Sequence, residues 1–296
     1  MTETLLVTGA SGQLGRNVIK HLLDTFKVPA GRVIATTRTP AKLADLAARG
    51  VEVREADFDD SASLVRAFAG AGRVLIISTD ELAIQGKRRE QQLAAVAAAK
   101  QAGVAHLLYT SLPDPEPGSP ILFAPDHYDT EQAIKATGIP YTLFRDSWYD
   151  ENLFMSLPHV LATGHWYTSA GDGAISYGAR DDYAAAIAAG LASASDQSTT
   201  YTLTGPKAHT VAEVAALVTE VTGKPIEVVQ LSDEALAEGM KAAGLPEPIA
   251  RLLVSFDAAT RAGLLGMVTD SVEELSGRKS VSLRQFLEAN KAKLAG

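Results

Sequence analysis

The chain has 296 residues, 46% of them hydrophobic, with 35 acidic against 27 basic side chains, a net charge of −8 and no cysteine. A chain of this length can bury a large core, as one domain or two closely joined ones. The acidic balance argues against a nucleic-acid partner, which demands clustered Lys and Arg, and the missing cysteine excludes disulfides, thiolate nucleophiles and cysteine-based metal sites.

The first apolar run, Thr4 to Thr8, reads as a short strand with no basic segment before it, so no signal peptide is expected. No stretch reaches the roughly 18 apolar residues of a membrane span, and a soluble, cytoplasmic protein is expected. Directly after the strand comes "TGASGQLG", with Gly9, Gly12 and Gly15 at every third position, opening a helix predicted over Gly12 to Phe26. A glycine turn between a first strand and a first helix lets backbone N–H groups approach a pyrophosphate at the helix N-terminus. Gly9, Ser11, Gly12, Gln13, Leu14 and Gly15 are therefore candidates for holding a dinucleotide.

A second strand, Arg32 to Thr37, runs into "RTPAK" and a helix over Pro40 to Ala48. An acid at the end of that strand would pair with the adenosine ribose of NAD, whereas a basic residue accommodates a 2′-phosphate. Arg38 stands there and Lys42 lies one turn on, which selects NADP(H). The third strand, Val51 to Ala56, is followed by "DFDD": Asp57 and Phe58 are placed for adenine, and Asp59 or Asp60 for capping the helix over Ser61 to Phe68. The fourth strand, Val74 to Ser78, brings Ser78 and Thr79 to the ribose and diphosphate.

Next come a helix over Gln85 to Ala102, a strand over Ala105 to Thr110, a helix over Asp126 to Ala136 and a strand over Tyr141 to Arg145. Lys87, Arg88 and Arg89 read as a solvated helix face, and Gly103 and Gly138 as helix stops. Strand–helix alternation with short apolar strands predicts an α/β fold, a Rossmann-type doubly wound parallel sheet. Beyond it the rhythm loosens. Short strands are expected over Gly164 to Tyr177, an Ala-rich helix over Asp181 to Leu191, and a strand over Thr200 to Gly205. A helix and strand then lead into a mostly helical Ser232 to Gly263 and a last amphipathic helix over Ser282 to Leu294. The expected division is an NADP-binding domain over 1–147, with 178–205 returning to it. A smaller mixed α/β substrate region would comprise 148–177 and 206–296. The six histidines are scattered, without metal-ligand spacing.

The segments "TGASGQLG", "TRTPAK", "GVEVREADFDD", "AGVAHLLYTSL", "GIPYTLFRDSWYDEN" and "AGDGAISYGARDDYAAA" resemble the NmrA-like group of atypical short-chain dehydrogenases. The likeness is strongest to its bacterial quinone oxidoreductase type 2 and triphenylmethane reductase branch. Ordinary short-chain dehydrogenases carry a Tyr-x-x-x-Lys pair that protonates an alkoxide. Here "DHYDTEQAIK" offers Tyr128 with Gln132 four residues on, while Lys135 falls on another helical face. His127 is expected to cap or orient the helix. The resemblance therefore implies hydride transfer from NADPH to a small-molecule electron acceptor, a quinone or similar planar electrophile, with no flavin, metal or dedicated catalytic side chain. Tyr109, Asp146, Trp148 and Tyr149 would face that acceptor, and Phe144 would lie beside the nicotinamide. Five prolines between Pro113 and Pro125 would stiffen a loop over the site. Where Asp146 stands the family usually has Asn. Arg180, Asp182 and Tyr183 match the family, and Asp182 is expected to cap a helix while Arg180 is expected to be an interdomain salt-bridge partner. Competing expectations are a non-catalytic NADP(H) sensor and an unusual carbonyl or imine reductase using Asp146 or Tyr128.

Overall fold

The computed structural model describes residues 3–82, 84–193 and 195–294. Its first half runs β1 (Leu5–Val7), α1 (Gln13–Lys20), β2 (Val33–Thr37), α2 (Ala44–Ala48), β3 (Glu52–Glu55), α3 (Ser61–Phe68), β4 (Arg73–Ile76), α4 (Lys87–Gln101), β5 (His106–Ser111), α5 (Ala124–Ala136) and β6 (Tyr141–Asp146). The second half adds α6 (Leu153–Thr163), β7 (His165–Thr168), β8 (Ala174–Ile175), α7 (Arg180–Ala192), β9 (Thr199–Leu203), β10 (His209–Thr210), α8 (Val211–Thr222), β11 (Glu227–Gln230), α9 (Asp233–Ala242), α10 (Glu247–Arg261), α11 (Ser271–Ser276), α12 (Leu283–Ala289) and α13 (Lys291–Leu294).

Seven strands form one sheet in the order β3-β2-β1-β4-β5-β6-β9, every neighbouring pair parallel. Both faces are covered at the centre, so β1 and β4 are largely buried and side chains along the inner strands alternate between two cores, whereas the edge strands β3 (EVRE) and β9 (TTYTL) are more polar and partly exposed. Leu5, Val7, Leu75, Leu108 and Phe144 join α1 and α7 on one face. Leu6, Val74, Ile76, Leu107, Tyr109 and Leu143 join α3, α4 and α5 on the other. A third cluster gathers Leu112, Ile121, Leu153, Val214, Ala259 and Phe286 under the second half. That half carries two small sheets, antiparallel β10-β8 and parallel β11-β7.

The chain returns to the large sheet after β8: α7 packs against α1, and β9 pairs with β6 in register Phe144 to Tyr201. Buried Arg73 on β4 locks this return. Its guanidinium donates to the carbonyls of Leu191 and Gly190, in the last turn of α7, at 3.1 and 3.3 Å, and to that of Ser195 just beyond the helix at 3.1 Å. Gly190 is required there, because a Cβ would stand 2.6 Å from the Phe144 ring.

The expected helix through Phe26 closes as a π turn over His21–Thr25. Gly103 and Gly138, with φ of 70° and 75°, stop α4 and α5 as expected. Helix α6 has no counterpart among the sequence expectations: Pro158 lies inside it and argues against a helix. Asp60 caps α3, accepting from the Ala62 N–H. Asp182 does not cap α7, which begins after Ala179. It lies in the first turn, buried, and accepts from the Val281 N–H at 2.7 Å. No helix among the described residues is long and apolar enough to cross a membrane.

Candidate active site

The strand order reverses between β1 and β4, and a cleft of about 450 Å³ opens beyond their C-terminal ends. The glycine turn forms its floor. Gly9 sits at φ 58°, a conformation that disfavours any side chain, and a Cβ on Gly12 would meet the Gly9 carbonyl at 3.2 Å. On Gly15 it would lie 2.5 Å from the same oxygen, so α1 can pack this close only without a side chain. Thr37 Oγ donates to Ser11 Oγ at 3.0 Å and ties the turn to the end of β2.

All the expected cofactor residues except Lys42 and Phe144 line this cleft. Arg38 is exposed at its rim, with no ion-pair partner among the described residues. Asp57 Oδ1 accepts from the Asp59 N–H at 3.0 Å, and Phe58 packs on the core behind it. Lys42 lies outside the lining, in the 3-10 turn Pro40–Leu43. Phe144 is a correction: β6 points it down onto Gly190 and Tyr201, fully buried and away from the cleft. Gln91, which the sequence reading missed, lines the cleft and donates to Asp59 at 3.0 Å. Thr79 Oγ1 and Gln91 Oε1 are buried there without partners. Unpaired polar atoms around a side-chain-free cradle fit a polar, phosphate-bearing ligand.

A second cavity of about 290 Å³ meets the cleft at Leu14, Ile77 and Ser78, which line both. Its walls come from distant segments: the Pro-rich loop (Leu112, Pro113, Ile121, Phe123), the end of β6 (Asp146 to Tyr149), and Phe256 and Leu265. Trp148 meets Phe256 edge to face at 4.3 Å. Arg145 fastens the loop, bonding Glu116 at 2.6 Å and buried Glu131 at 2.8 Å, while Leu122 N–H reaches Ser255 at 3.3 Å.

Asp146 and Tyr149 line this cavity as expected. Tyr149 donates to Asp146 Oδ2 at 2.8 Å, whereas Asp146 Oδ1 is buried without a partner. Burial pushes the Asp146 carboxyl up to about 7, opposed by that tyrosine hydrogen bond. Arg180 lies over the Tyr149 ring at 4.9 Å and donates to Gln13 of the glycine turn. It thus joins the two regions, though by a ring face and an amide; its backbone N–H bonds Glu151. Just beneath, Asp150 has both carboxyl oxygens buried without partners, and burial raises it to about 8.

The opposite wall and the core behind it depart from the sequence expectations. Tyr109 lines neither cavity, because strand alternation turns it into the α4–α5 face, fully buried. Arg88 is buried at 7% exposure and is part of the cavity wall; Arg89 is exposed as expected, and Lys87 is partly covered and paired with Asp59 at 2.9 Å. Arg88 Nη2 donates to His127 Nε2 at 2.7 Å, which leaves the proton on Nδ1 to reach Tyr109 Oη at 2.8 Å. Tyr109 donates to Gln92 Oε1, and Gln92 Nε2 returns to the Arg88 carbonyl at 3.2 Å. Burial and the adjacent guanidinium hold the His127 imidazole well below its usual range, and therefore neutral. His127 does not cap α5; its bonds to Arg88 and Tyr109 tie that helix to α4 and β5, and its ring lines the cavity. A sequence signal existed: Arg88, Gln91 and Gln92 share a helical stripe with Ala95, Val96 and Ala99, the buried face of α4.

Tyr128 lines neither cavity, and Lys135 pairs with Glu131 at 3.6 Å. No Tyr/Lys pair therefore reaches the junction. Among the described residues no three His, Asp or Glu side chains are grouped to hold a metal ion.

The profile of the NmrA-like family matches residues 1–283. Quinone oxidoreductase 2 of Escherichia coli is 38% identical over 95% of this chain and 96% of its own length. The crystal structure of the E. coli NADPH-dependent quinone oxidoreductase in complex with NADPH superposes with a TM-score of 0.90, covering 96% of this chain and 98% of that one. Citrobacter sp. triphenylmethane reductase complexed with NADP(H) is 34% identical with a TM-score of 0.89, covering 97% and 99% of the two chains. The NAD(P)H azoreductase of Xenophilus azovorans is 27% identical over 97% of this chain and 98% of its own length.

Proposed function

The chain belongs to the NmrA-like family, and from that premise we propose that it is an NADPH-dependent reductase passing hydride to a quinone or similar planar electrophile. The observation that carries this reading is the apolar, aromatic-walled cavity opening directly onto the glycine cleft at Leu14, Ile77 and Ser78. Relatives matched over nearly their full length are a quinone oxidoreductase, an azoreductase and a triphenylmethane reductase, whose named acceptors are conjugated aromatic or quinoid electrophiles.

Gly9 to Gly15 hold the diphosphate, Arg38 the 2′-phosphate, Asp57 and Phe58 the adenine, and Ser78 and Thr79 the ribose next to the junction. When bound, NADPH supplies a hydride at its nicotinamide ring. Trp148, Tyr149 and Phe256 orient the acceptor, and the Pro-rich loop excludes water. The substrate region is 148–177 with 206–296, and 178–205 belongs with the sheet of the cofactor domain. A reduced quinone is a phenolate whose basicity resembles that of tyrosine, about 10, so water can complete its protonation. Proximity and orientation then supply most of the catalysis, and no Tyr/Lys pair is needed.

The test is anaerobic oxidation of NADPH against a panel of quinones, azo dyes and triphenylmethane dyes. Acceptor-dependent turnover with NADPH preferred over NADH is expected. Tight NADPH binding with no turnover on any acceptor would instead identify a cofactor sensor.

A further inference from the structure

Arg88 is a buried cation in the wall of the acceptor cavity with no ion-pair partner among the described residues. Among the described residues its guanidinium makes one hydrogen bond, to His127, and no ion pair, and its Nε is buried without a partner. Asp80 and Asp126 act on it only from beyond ion-pair distance. The Phe123 ring covers it at 4.6 Å. The hydrogen-bond ring through His127, Tyr109 and Gln92 fixes the guanidinium and presents only neutral groups to it. Buried charges are ordinarily paired, so the missing partner is what the cavity receives.

We propose that Arg88 is the acceptor's oxyanion anchor, a catalytic group that holds the oxygen on which negative charge appears when a quinone takes up hydride. The inference rests on the quinone-reducing reading of the site. A quinone that accepts hydride gains two electrons and one proton; its ring becomes aromatic and one oxygen is left as an anion until water protonates it. NADPH is oxidised in the same step. A triphenylmethane cation accepting the same hydride forms one C–H bond, becomes neutral and generates no oxyanion. A fixed cation in a dry wall therefore lowers the barrier for the first acceptor and not for the second.

Two measurements test this. In steady-state assays with a neutral naphthoquinone and a cationic triphenylmethane dye, Arg88→Met should lower the quinone-to-dye ratio of kcat about a hundredfold, the scale seen on removing an oxyanion donor. Arg88→Lys, which restores charge without the planar fork, should recover part of that ratio. An unchanged ratio, with both acceptors falling together, would mean that Arg88 serves only the fold. The second measurement needs neither turnover nor a variant that folds: calorimetric titration of the wild-type NADP⁺ complex with 1-naphthoate and with 1-naphthamide. The carboxylate should bind at least about tenfold more tightly, with the preference shrinking as salt is raised. Equal affinities overturn the proposal. Preferential naphthoate binding by a protein that reduces no quinone would leave the anion site standing and remove the quinone reading instead.

Discussion

Gly9, Ser11, Gly12 and Gly15 assemble the floor of the cofactor cleft within one turn of chain. The acceptor cavity draws Arg88 from α4, His127 from α5, Asp146 to Tyr149 from the end of β6, and Phe256 from α10. Backbone builds the first; side chains from remote segments build the second. A backbone cradle is specified by what is missing, the side chains at three positions, so it tolerates little change. The side-chain cavity can exchange one wall at a time, which suits one scaffold to different acceptors.

The largest expected effect follows from filling the cradle. Gly12→Val would push a branched side chain against the Gly9 carbonyl, and NADPH affinity should fall about a hundredfold or more, near 3 kcal/mol. Calorimetry beside a far-UV spectrum decides it: tight binding by a native-like variant would show that the turn holds no phosphate. Arg38→Ala comes next. Losing charge-assisted hydrogen bonds worth about 1.5–3 kcal/mol should raise the KM for NADPH by roughly ten- to a hundredfold while leaving NADH kinetics in place. Equal losses with both cofactors would assign the arginine to the fold.

On the other side of the comparison the steps are smaller. Trp148→Ala removes one aromatic wall, and aromatic contacts of this kind contribute about 0.5–1.5 kcal/mol. The KM for a planar acceptor should rise about two- to tenfold with NADPH binding untouched. A loss as severe as that of Gly12→Val would mean that the second cavity is as unforgiving as the first. Asp146 should give a pH signature. Its carboxyl is protonated below about pH 7 and ionised above it, so kcat/KM for a cationic dye should rise a few fold through neutrality. Asp146→Asn should flatten that profile; an identical profile in the variant would place the titration elsewhere.

The last effect is on stability. The Asp150 carboxyl rises to about 8 in the fold, against about 4 unfolded. A raised folded-state pKa means that its contribution is complete below about pH 4 and is lost as the pH climbs through 8. Thermal melts of Asp150→Asn should match wild type below about pH 4, and the variant's advantage should grow from there until about pH 8. Each kcal/mol recovered is worth about 2–4 °C in a chain of this size. A constant offset at all pH values would show that Asp150 is not the group titrating.

The same contrast governs what could be read from the sequence. The glycine turn, Arg38 and Asp57 are local features, each following a strand by a few residues, and the cleft brings them together. The family resemblance places Tyr109 and Phe144 at the site, yet strand alternation turns one toward α4 and the other toward α7. Arg88 looked solvated because three basic residues stood in a row. The stripe it shares with Gln91, Gln92, Ala95 and Ala99 is the legible sign of burial, and the pairing with His127, 39 residues later, makes it a wall. Phe256 and Leu265 carry no motif, and nothing short of the tertiary packing brings them to Trp148.

The Arg73 clamp bears on how this chain is made. During synthesis residues 1–147 emerge first, complete with glycine turn, Arg38 and six strands of the sheet. At that moment the guanidinium of Arg73 has none of its three carbonyl acceptors, which belong to residues 190, 191 and 195, and β6 presents an unpaired edge awaiting β9. A strand edge left open on a nascent chain is a template for aggregation. Residues 1–147 therefore lack the edge strand and the three carbonyls that complete the sheet and pair Arg73. Their maturation on the ribosome waits for roughly fifty further residues to be translated, and a gene fragment ending at residue 147 should yield insoluble product.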